Sequence, residues 1–468
     1  LSQVDRRSAL RTIGLLLMAA ISLPFLARRR RILACLQGVV SYISGFEHIA
    51  SVGVQGKFTR GNHLEILFRG DRILPAMLSL IRSAERTIRW QVMLFHPDEA
   101  GRQLAAALSD AARRGVMVHL SFDRSQTTDG PAFGPHPPHK KRRLRESMRN
   151  MIAELESAGA IVLDNRAGIG RKSTPASPAA RRLWDDLSRR ICISANHVDH
   201  RKLLIVDDEL AIVGGANVGN QYLYHQPPNF ELTMDQAAAL RRRTGQPEAW
   251  QKWIDVAVQA QGPVVQQLAN AFLLRWELLG GPSGPALRPA HPAGDRRAKV
   301  LSQRPGDVSL ARGALSLIRD AQEEILISSP YTSYHPAMEA LKKSAQAGVR
   351  VRLITPGEFN DVALSKRVFR SLTPGLLDAG VQVFENNRRM IHSKIMIVDR
   401  RWTSIGSLNL NYRSFVHDFE LNLLIDGHDL AEEMATQVFE TYFRDSEFLE
   451  IPYHLRLNPI ERLIVPFS

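Results

Sequence analysis

The stretch HRKLLIVDDELAIVGGAN (His200–Asn217) returns 192 residues later as HSKIMIVDRRWTSIGSLN (His392–Asn409). Both copies read His-x-Lys-x-x-x-x-Asp, then six residues, then Gly-x-x-Asn. At average residue usage one such copy arises by chance in roughly one chain per ten thousand, so two copies are not an accident of composition. The apolar runs LLIV and IMIV place both copies on buried strands. Alternate residues of a strand share a face, so His200 and Lys202 project into one pocket, and so do His392 and Lys394. Asp207 and Asp399 complete the catalytic motif from the opposite face, where they can brace backbone or loop. A tight turn at Asp208-Glu209, or at Arg400-Arg401, then leads along a second strand to a glycine. There the chain can approach a ligand closely and present Asn217 or Asn409.

The repeat extends outward from the motif. Ala84–Ile88 opens the run WQVMLF as Ala321–Ile325 opens ILISSPY. Ala111–Val116, with Val118 and Leu120, matches Ser344–Val349 with Val351 and Leu353; Ser157–Val162 matches Asp378–Val383. β-Branched runs alternate with amphipathic helices, and glycine stands where helix passes to strand. This predicts an α/β fold with parallel or mixed sheets covered by helices. The expected organisation is a connector over residues 1–56 and two homologous halves, 57–285 and 286–468. The copies lie 237 residues apart at Ala84 and Ala321 but only 192 apart at the motif, so the first half carries extra residues. The stretches 125–145 and 166–190, which show no apolar periodicity, read as the inserted loops.

A histidine, an ammonium and an amide from each half suit a phosphodiester. Lys202, Lys394, Asn217 and Asn409 can hold non-bridging oxygens and stabilise charge growing on five-coordinate phosphorus. One imidazole can attack phosphorus and become a phosphohistidine, while the other protonates the leaving alcohol and deprotonates the incoming one. This chemistry calls for no metal and no cofactor. A histidine that attacks as a neutral base wants a carboxylate behind its second nitrogen. Asp255 and Glu420 each start an alternating apolar strand and each precede a glycine by seven residues, Gly262 and Gly427, so they are the candidate orienting acids. His197, His225 and His417 have no partner in the repeat and read as loop or neighbouring residues. His136, His139, Lys140 and Lys141 read as a solvated basic loop.

Composition adds a surface and a membrane. The 468 residues exceed one ordinary core. The formal charge of +14 draws the chain to polyanions, nucleic acid or an anionic bilayer. The two cysteines, Cys35 and Cys192, form neither a disulfide framework nor a zinc site. Thr12–Ala27 is an uncharged apolar run between arginine clusters. As a helix it would reach about 24 Å against a hydrocarbon core of about 30 Å, which suits a marginal span or an interfacial helix. Basic flanks on both sides leave its orientation undetermined. Arg6-Arg7 also has the look of a twin-arginine export signal, although no small-x-small cleavage site closes the run.

These motifs resemble the phospholipase D superfamily over roughly residues 61–455. The resemblance implies two halves packed about a pseudo-two-fold axis around one shared site. It also implies roles for His200, Lys202 and Asn217 from one half and for His392, Lys394 and Asn409 from the other. By analogy His200 is the nucleophile and His392 the general acid/base, an assignment that the symmetry makes reversible. Three stretches, GGANVGNQYL (214–223), QGPVVQQLANAFLLRW (261–276) and GSLNLNYRSFVHDFELNL (406–423), resemble bacterial cardiolipin synthases. That family commonly has Asp where this chain has Asn220 and Asn411. The implied activity is phosphatidyl transfer between two phosphatidylglycerol molecules at the bacterial inner membrane, with no obligatory nucleic acid. Three alternatives remain open on sequence: hydrolysis to phosphatidic acid, a nuclease that would use the basic surface, and a non-enzymatic membrane scaffold.

Overall fold

A computed structural model describes residues 56–129, 138–165, 197–224, 253–305 and 307–450. The apolar run Thr12–Ala27, the stretch 166–190, His136 and His225 lie outside the described residues. The first half carries β1 (Thr59–Phe68), β2 (Thr87–Gln91), β3 (Met117–Phe122), β4 (Ile161–Asp164), β5 (Leu203–Val206), β6 (Leu210–Gly214), β7 (Trp253–Ile254) and β8 (Val256–Gln261). The second half carries β9 (Arg296–Gln303), β10 (Glu324–Ser328), β11 (Arg350–Pro356), β12 (Gln382–Asn386) and β13 (Met390–Ile391). It continues with β14 (Ile395–Val398), β15 (Trp402–Gly406), β16 (Glu420–Asp426) and β17 (Glu447–Phe448).

Among the described residues fifteen strands form one mixed sheet in the order β17-β12-β11-β10-β14-β15-β16-β9-β1-β8-β6-β5-β2-β3-β4. Reading outward from the centre, β1-β8-β6-β5-β2-β3-β4 is mirrored by β9-β16-β15-β14-β10-β11-β12, so a pseudo-two-fold axis passes between the antiparallel neighbours β1 and β9. In each half three successive flanking strands are parallel, β2-β3-β4 and β10-β11-β12, with β17 added antiparallel beside β12, and the helices that cross between the parallel strands cover the sheet. Thus the βα periodicity builds the flanks and the motif hairpin supplies the antiparallel inner strands.

Each half has its own core, and a third core spans both. The helix Val264–Leu278 buries Leu268, Phe272 and Trp276 in that shared core, and the helical run after β16 buries Met434, Val438 and Phe439. Between them lie Leu64, Val256 and Val258 from one half and Val300, Leu421 and Leu423 from the other. Each buried large apolar side chain is worth about 1.5–3 kcal/mol, so separating the halves would expose a core and not merely an interface.

Two expectations are corrected. Residues 125–129 and 138–145 are not loop: the first lie in the helix Arg124–Asp129 and the second open the helix Pro138–Ser157. His139, Arg142, Arg143 and Arg145 are exposed on its first turns, and the apolar positions that bury it, Met148, Met151, Ile152 and Leu155, come after residue 145. The hairpin turns also fall one residue earlier than expected. Asp207 and Asp208 have φ of 54° and 64°, and Asp399 and Arg400 have 51° and 48°. The N–H of Glu209 donates to the Val206 carbonyl at 3.0 Å, and that of Arg401 to Val398 at 3.1 Å. Two central residues at positive φ match the twist of the flanking strands, and aspartate tolerates that region better than most residues.

Candidate active site

The motif strands enter the site by pairing across the halves. Before β5, Asp199 bridges Phe419, and the N–H of His200 donates to the Phe419 carbonyl at 2.9 Å. Before β14, β13 pairs with β7, and the N–H of His392 donates to Ile254 at 2.8 Å. The residue after each bridge is an acid, Glu420 or Asp255. Each acid therefore stands behind the histidine of the opposite half. His200 Nδ1 lies 3.1 Å from both Glu420 carboxylate oxygens and 3.0 Å from the Ser407 carbonyl. His392 Nδ1 lies 2.7 Å from Asp255 Oδ2. A carbonyl can only accept, so Nδ1 of His200 carries the proton and its Nε2 lone pair is left for chemistry.

The two copies differ behind the rings. Ser407 donates its hydroxyl to Glu420 and accepts the N–H of Leu421 at 3.0 Å. Its counterpart is Gly215, where an added Cβ would stand 2.3 Å from Asp255 Oδ1. A longer acid is thus paired with serine and a shorter acid with glycine.

Lys202 and Lys394 lie on the same side as the histidines, each reaching back to the carbonyl of its own histidine. Lys394 Nζ also stands 2.9 and 3.0 Å from the two ring nitrogens of His392. All four side chains are nearly enclosed: His200 is 8% exposed, Lys202 5%, His392 3% and Lys394 2%. Burial, together with Lys202 and Lys394, pushes both imidazoles well below their usual pKa, which keeps them neutral. Burial and the neighbouring Lys394 bring Lys202 down to about 7. Burial lowers Lys394 to about 8 against the pull of Asp255. Burial pushes Asp255 up to about 6 and Glu420 up to about 8, with Lys394 and Lys202 respectively as the main opposing charges. This is one electrostatic cluster drawn from both halves, with cations crowded where an anion would sit.

Asn217 and Asn409 are buried alongside. The Asn217 amide oxygen accepts the Leu94 N–H at 3.2 Å. Asn409 makes only a 3.4 Å contact with Ser414, and its amide oxygen has no partner among the described residues. Such an amide can be claimed by a ligand. Asp207 and Asp399 turn away from this cluster. Asp207 takes the backbone N–H groups of Glu85, Arg86 and Thr87 at 2.7–2.9 Å, and Asp399 those of Gln322, Glu323 and Glu324 at 2.8–3.1 Å. Each fastens the start of the parallel strand beside the motif hairpin. Asn220 and Asn411 likewise accept backbone N–H groups, of Ala100 and Ser414, at 2.9 Å.

Several neighbours were not singled out in the sequence. Tyr222, Trp253 and Tyr331 surround the His392 ring at centroid distances of 5.3, 5.0 and 6.3 Å. The Asp199 carboxylate binds the guanidinium groups of Arg201 at 2.7 Å and Arg275 at 3.1 Å. Arg275 also stacks 4.4 Å from the centre of the Phe419 ring, which clamps the bridge that delivers Glu420. His197 and His417 sit together on the His200 side, with His197 Nδ1 2.7 Å from the His417 carbonyl. His139 is exposed on its helix. Among the described residues no group of three His, Cys, Asp or Glu could hold a metal ion, and no helix is long and apolar enough to cross a membrane.

The family model described as "Cardiolipin synthase, PLD-like domain" matches residues 77–239 and 314–442. The chain is 28% identical over 386 residues to cardiolipin synthase A of Pseudomonas fluorescens (strain SBW25), covering 81% of this chain and 68% of that protein. It is 29% identical over 388 residues to cardiolipin synthase B of Salmonella typhi, covering 79% and 77%. Among solved structures, phosphatidylserine synthase from Haemophilus influenzae Rd KW20 superposes with a TM-score of 0.56 at 14% identity, covering 91% of this chain and 96% of that one. At that identity the likeness speaks for the fold alone.

Proposed function

Because the chain belongs to the cardiolipin synthase, phospholipase D-like family, we propose that it transfers a phosphatidyl group from one phosphatidylglycerol to the glycerol hydroxyl of another, giving cardiolipin and free glycerol. One observation carries this reading. Two buried histidines from opposite halves, each backed by a buried carboxylate, share a cluster with two buried lysines.

His200 Nε2 attacks phosphorus and the bond from phosphorus to the headgroup glycerol breaks. His392, which takes up a proton from solvent once the anionic phosphodiester is bound beside it, gives that Nε2 proton to the leaving oxygen. The product is a phosphatidyl-histidine. The glycerol hydroxyl of a second phosphatidylglycerol then loses its proton to His392, bonds to phosphorus and expels His200. Lys202, Lys394, Asn217 and Asn409 hold the non-bridging oxygens through both steps, where charge on the equatorial oxygens is greatest. Glu420 and Asp255 keep Nδ1–H of each ring fixed and stabilise the imidazolium as it forms. Lys394, within hydrogen-bond reach of both nitrogens of His392, disfavours the charged ring and so favours release of its proton to the leaving oxygen. Asp207 and Asp399 act by positioning. The +14 charge suits an anionic bilayer, and Thr12–Ala27 is the proposed attachment to the bacterial inner membrane.

The test is incubation of the full chain, in vesicles, with labelled phosphatidylglycerol. Cardiolipin plus glycerol, absent with His200→Ala, is the expected result. Phosphatidic acid as the sole product would make the enzyme a hydrolase. No lipid turnover, with cleavage of single-stranded DNA instead, would make it a nuclease.

A further inference from the structure

Beside His392 lies a pair of side chains that the transfer steps do not use. The Tyr331 hydroxyl donates to Asp361 Oδ1 at 2.8 Å, and the Tyr331 ring stands edge-on to His392. Both residues are half-buried and so keep access to solvent, unlike the enclosed histidines and lysines. The pair is held from behind: Asn360 Nδ2 donates to the Pro330 carbonyl at 3.1 Å, and Asn360 Oδ1 accepts the Val362 N–H at 2.9 Å. The electrostatic reach of Asp361 includes Lys394 and Tyr331.

A carboxylate is the wrong group to meet a phosphate, because like charges repel. It is the right group to accept hydrogen bonds from hydroxyls, and a phenol beside it can both give and accept. Among the described residues the feature also belongs to one half. Phe95 bridges Val218 as Thr332 bridges Leu410, so the counterpart of Tyr331 is the buried, apolar Leu94. Among the described residues the polar pair therefore stands on the side of His392, where the alcohol leaves and arrives. We propose that Tyr331 and Asp361 form a polyol subsite that holds the free hydroxyls of a glycerol headgroup while its neighbouring oxygen exchanges a proton with His392. This rests on the phosphatidyl-transfer reading and specifies its acceptor class as an alcohol bearing a second, vicinal hydroxyl.

The experiment offers the full chain, in phosphatidylglycerol vesicles, deuterated glycerol and 1-propanol as competing acceptors. Exchange of label into phosphatidylglycerol and formation of phosphatidylpropanol are followed together. The ratio of the two kcat/KM values is read within each variant, so a general loss of activity cancels. Asp361→Asn and Tyr331→Phe, the latter removing only a hydroxyl, should each lower the glycerol-to-propanol ratio at least tenfold, chiefly by raising KM for glycerol. An unchanged ratio in both folded variants overturns the proposal, and so does an equal loss toward both alcohols, which would mark Asp361 as a support for Lys394. A wild-type protein inert toward phosphatidylglycerol would instead sink the transfer reading, and the subsite with it.

Discussion

Replacing Gly215 by alanine adds one carbon 2.3 Å from Asp255 Oδ1 and 3.1 Å from its Cγ. Gly215 does not occupy the positive-φ region, so alanine adopts its backbone without strain and the effect is steric. Carbon–oxygen contact needs about 3.4 Å or more, so the carboxylate must retreat by about 1 Å. It is fully buried, bonded through Oδ1 to the Val256 N–H at 2.8 Å and through Oδ2 to His392 at 2.7 Å. A 1 Å retreat takes the second contact beyond hydrogen-bond range. Losing a hydrogen bond to a charged group costs about 1.5–3 kcal/mol, or roughly 10- to 150-fold in the rate of any step that needs His392. The assay is phosphatidylglycerol turnover by Gly215→Ala in vesicles, with a thermal melt to establish folding. A second substrate, a phosphatidyl ester of p-nitrophenol, sharpens it. That leaving group departs without a proton, so formation of the phosphohistidine from it should be impaired far less. Wild-type turnover of phosphatidylglycerol by a folded Gly215→Ala would refute the claim that Asp255 acts through His392, and so would an equal loss on both substrates.

Other predictions follow from the same geometry. Lys202, at about 7, and Lys394, at about 8, are cationic below those values, so phosphate binding should fail as pH rises through them. A kcat/KM profile with an alkaline limb between about 7 and 8, belonging to the coupled cluster as a whole, is expected, and a profile flat to pH 10 would contradict it. Arg275→Ala strips one partner from the buried Asp199 and frees the Phe419 ring. It should destabilise by about 3–5 kcal/mol in denaturant melts and also slow turnover, whereas a purely structural role would leave kcat untouched in the folded fraction. Asp207→Gly keeps the positive φ but loses three backbone hydrogen bonds, while Asp207→Ala loses both. Melts should therefore rank wild type above Asp207→Gly above Asp207→Ala, the two variants separated by about 1 kcal/mol.

The motif pair, the repeat and the α/β periodicity were open to sequence reasoning because each is a local pattern repeated at matching places. Asp255 and Glu420 were also within reach, since both stand at the same step before a glycine. Their exchange between halves was not. It depends on Asp199 meeting Phe419 and on β13 meeting β7, contacts between segments far apart in the chain that no local spacing encodes. The aromatic surround of His392 escaped for the same reason: Tyr222 and Trp253 belong to the other half, and Tyr331 reads locally as a strand end. The hairpin turn was misplaced by one residue because Asp207 serves twice, as a left-handed turn residue and as an acceptor of backbone N–H groups. The basic stretch before Met148 was misread because charge hid the first turns of a helix whose apolar face starts later.

The exchanged acids also bear on how such a chain could have arisen and how it can be taken apart. A polypeptide with one repeat would own an imidazole with no anion behind it; two identical copies would repair each other by associating about a two-fold axis. Tandem fusion of such a gene would make that rescue permanent and free each copy to differ, as glutamate with serine and aspartate with glycine do here. Cut between the repeats, the fragments should be mute alone and regain activity only when they meet.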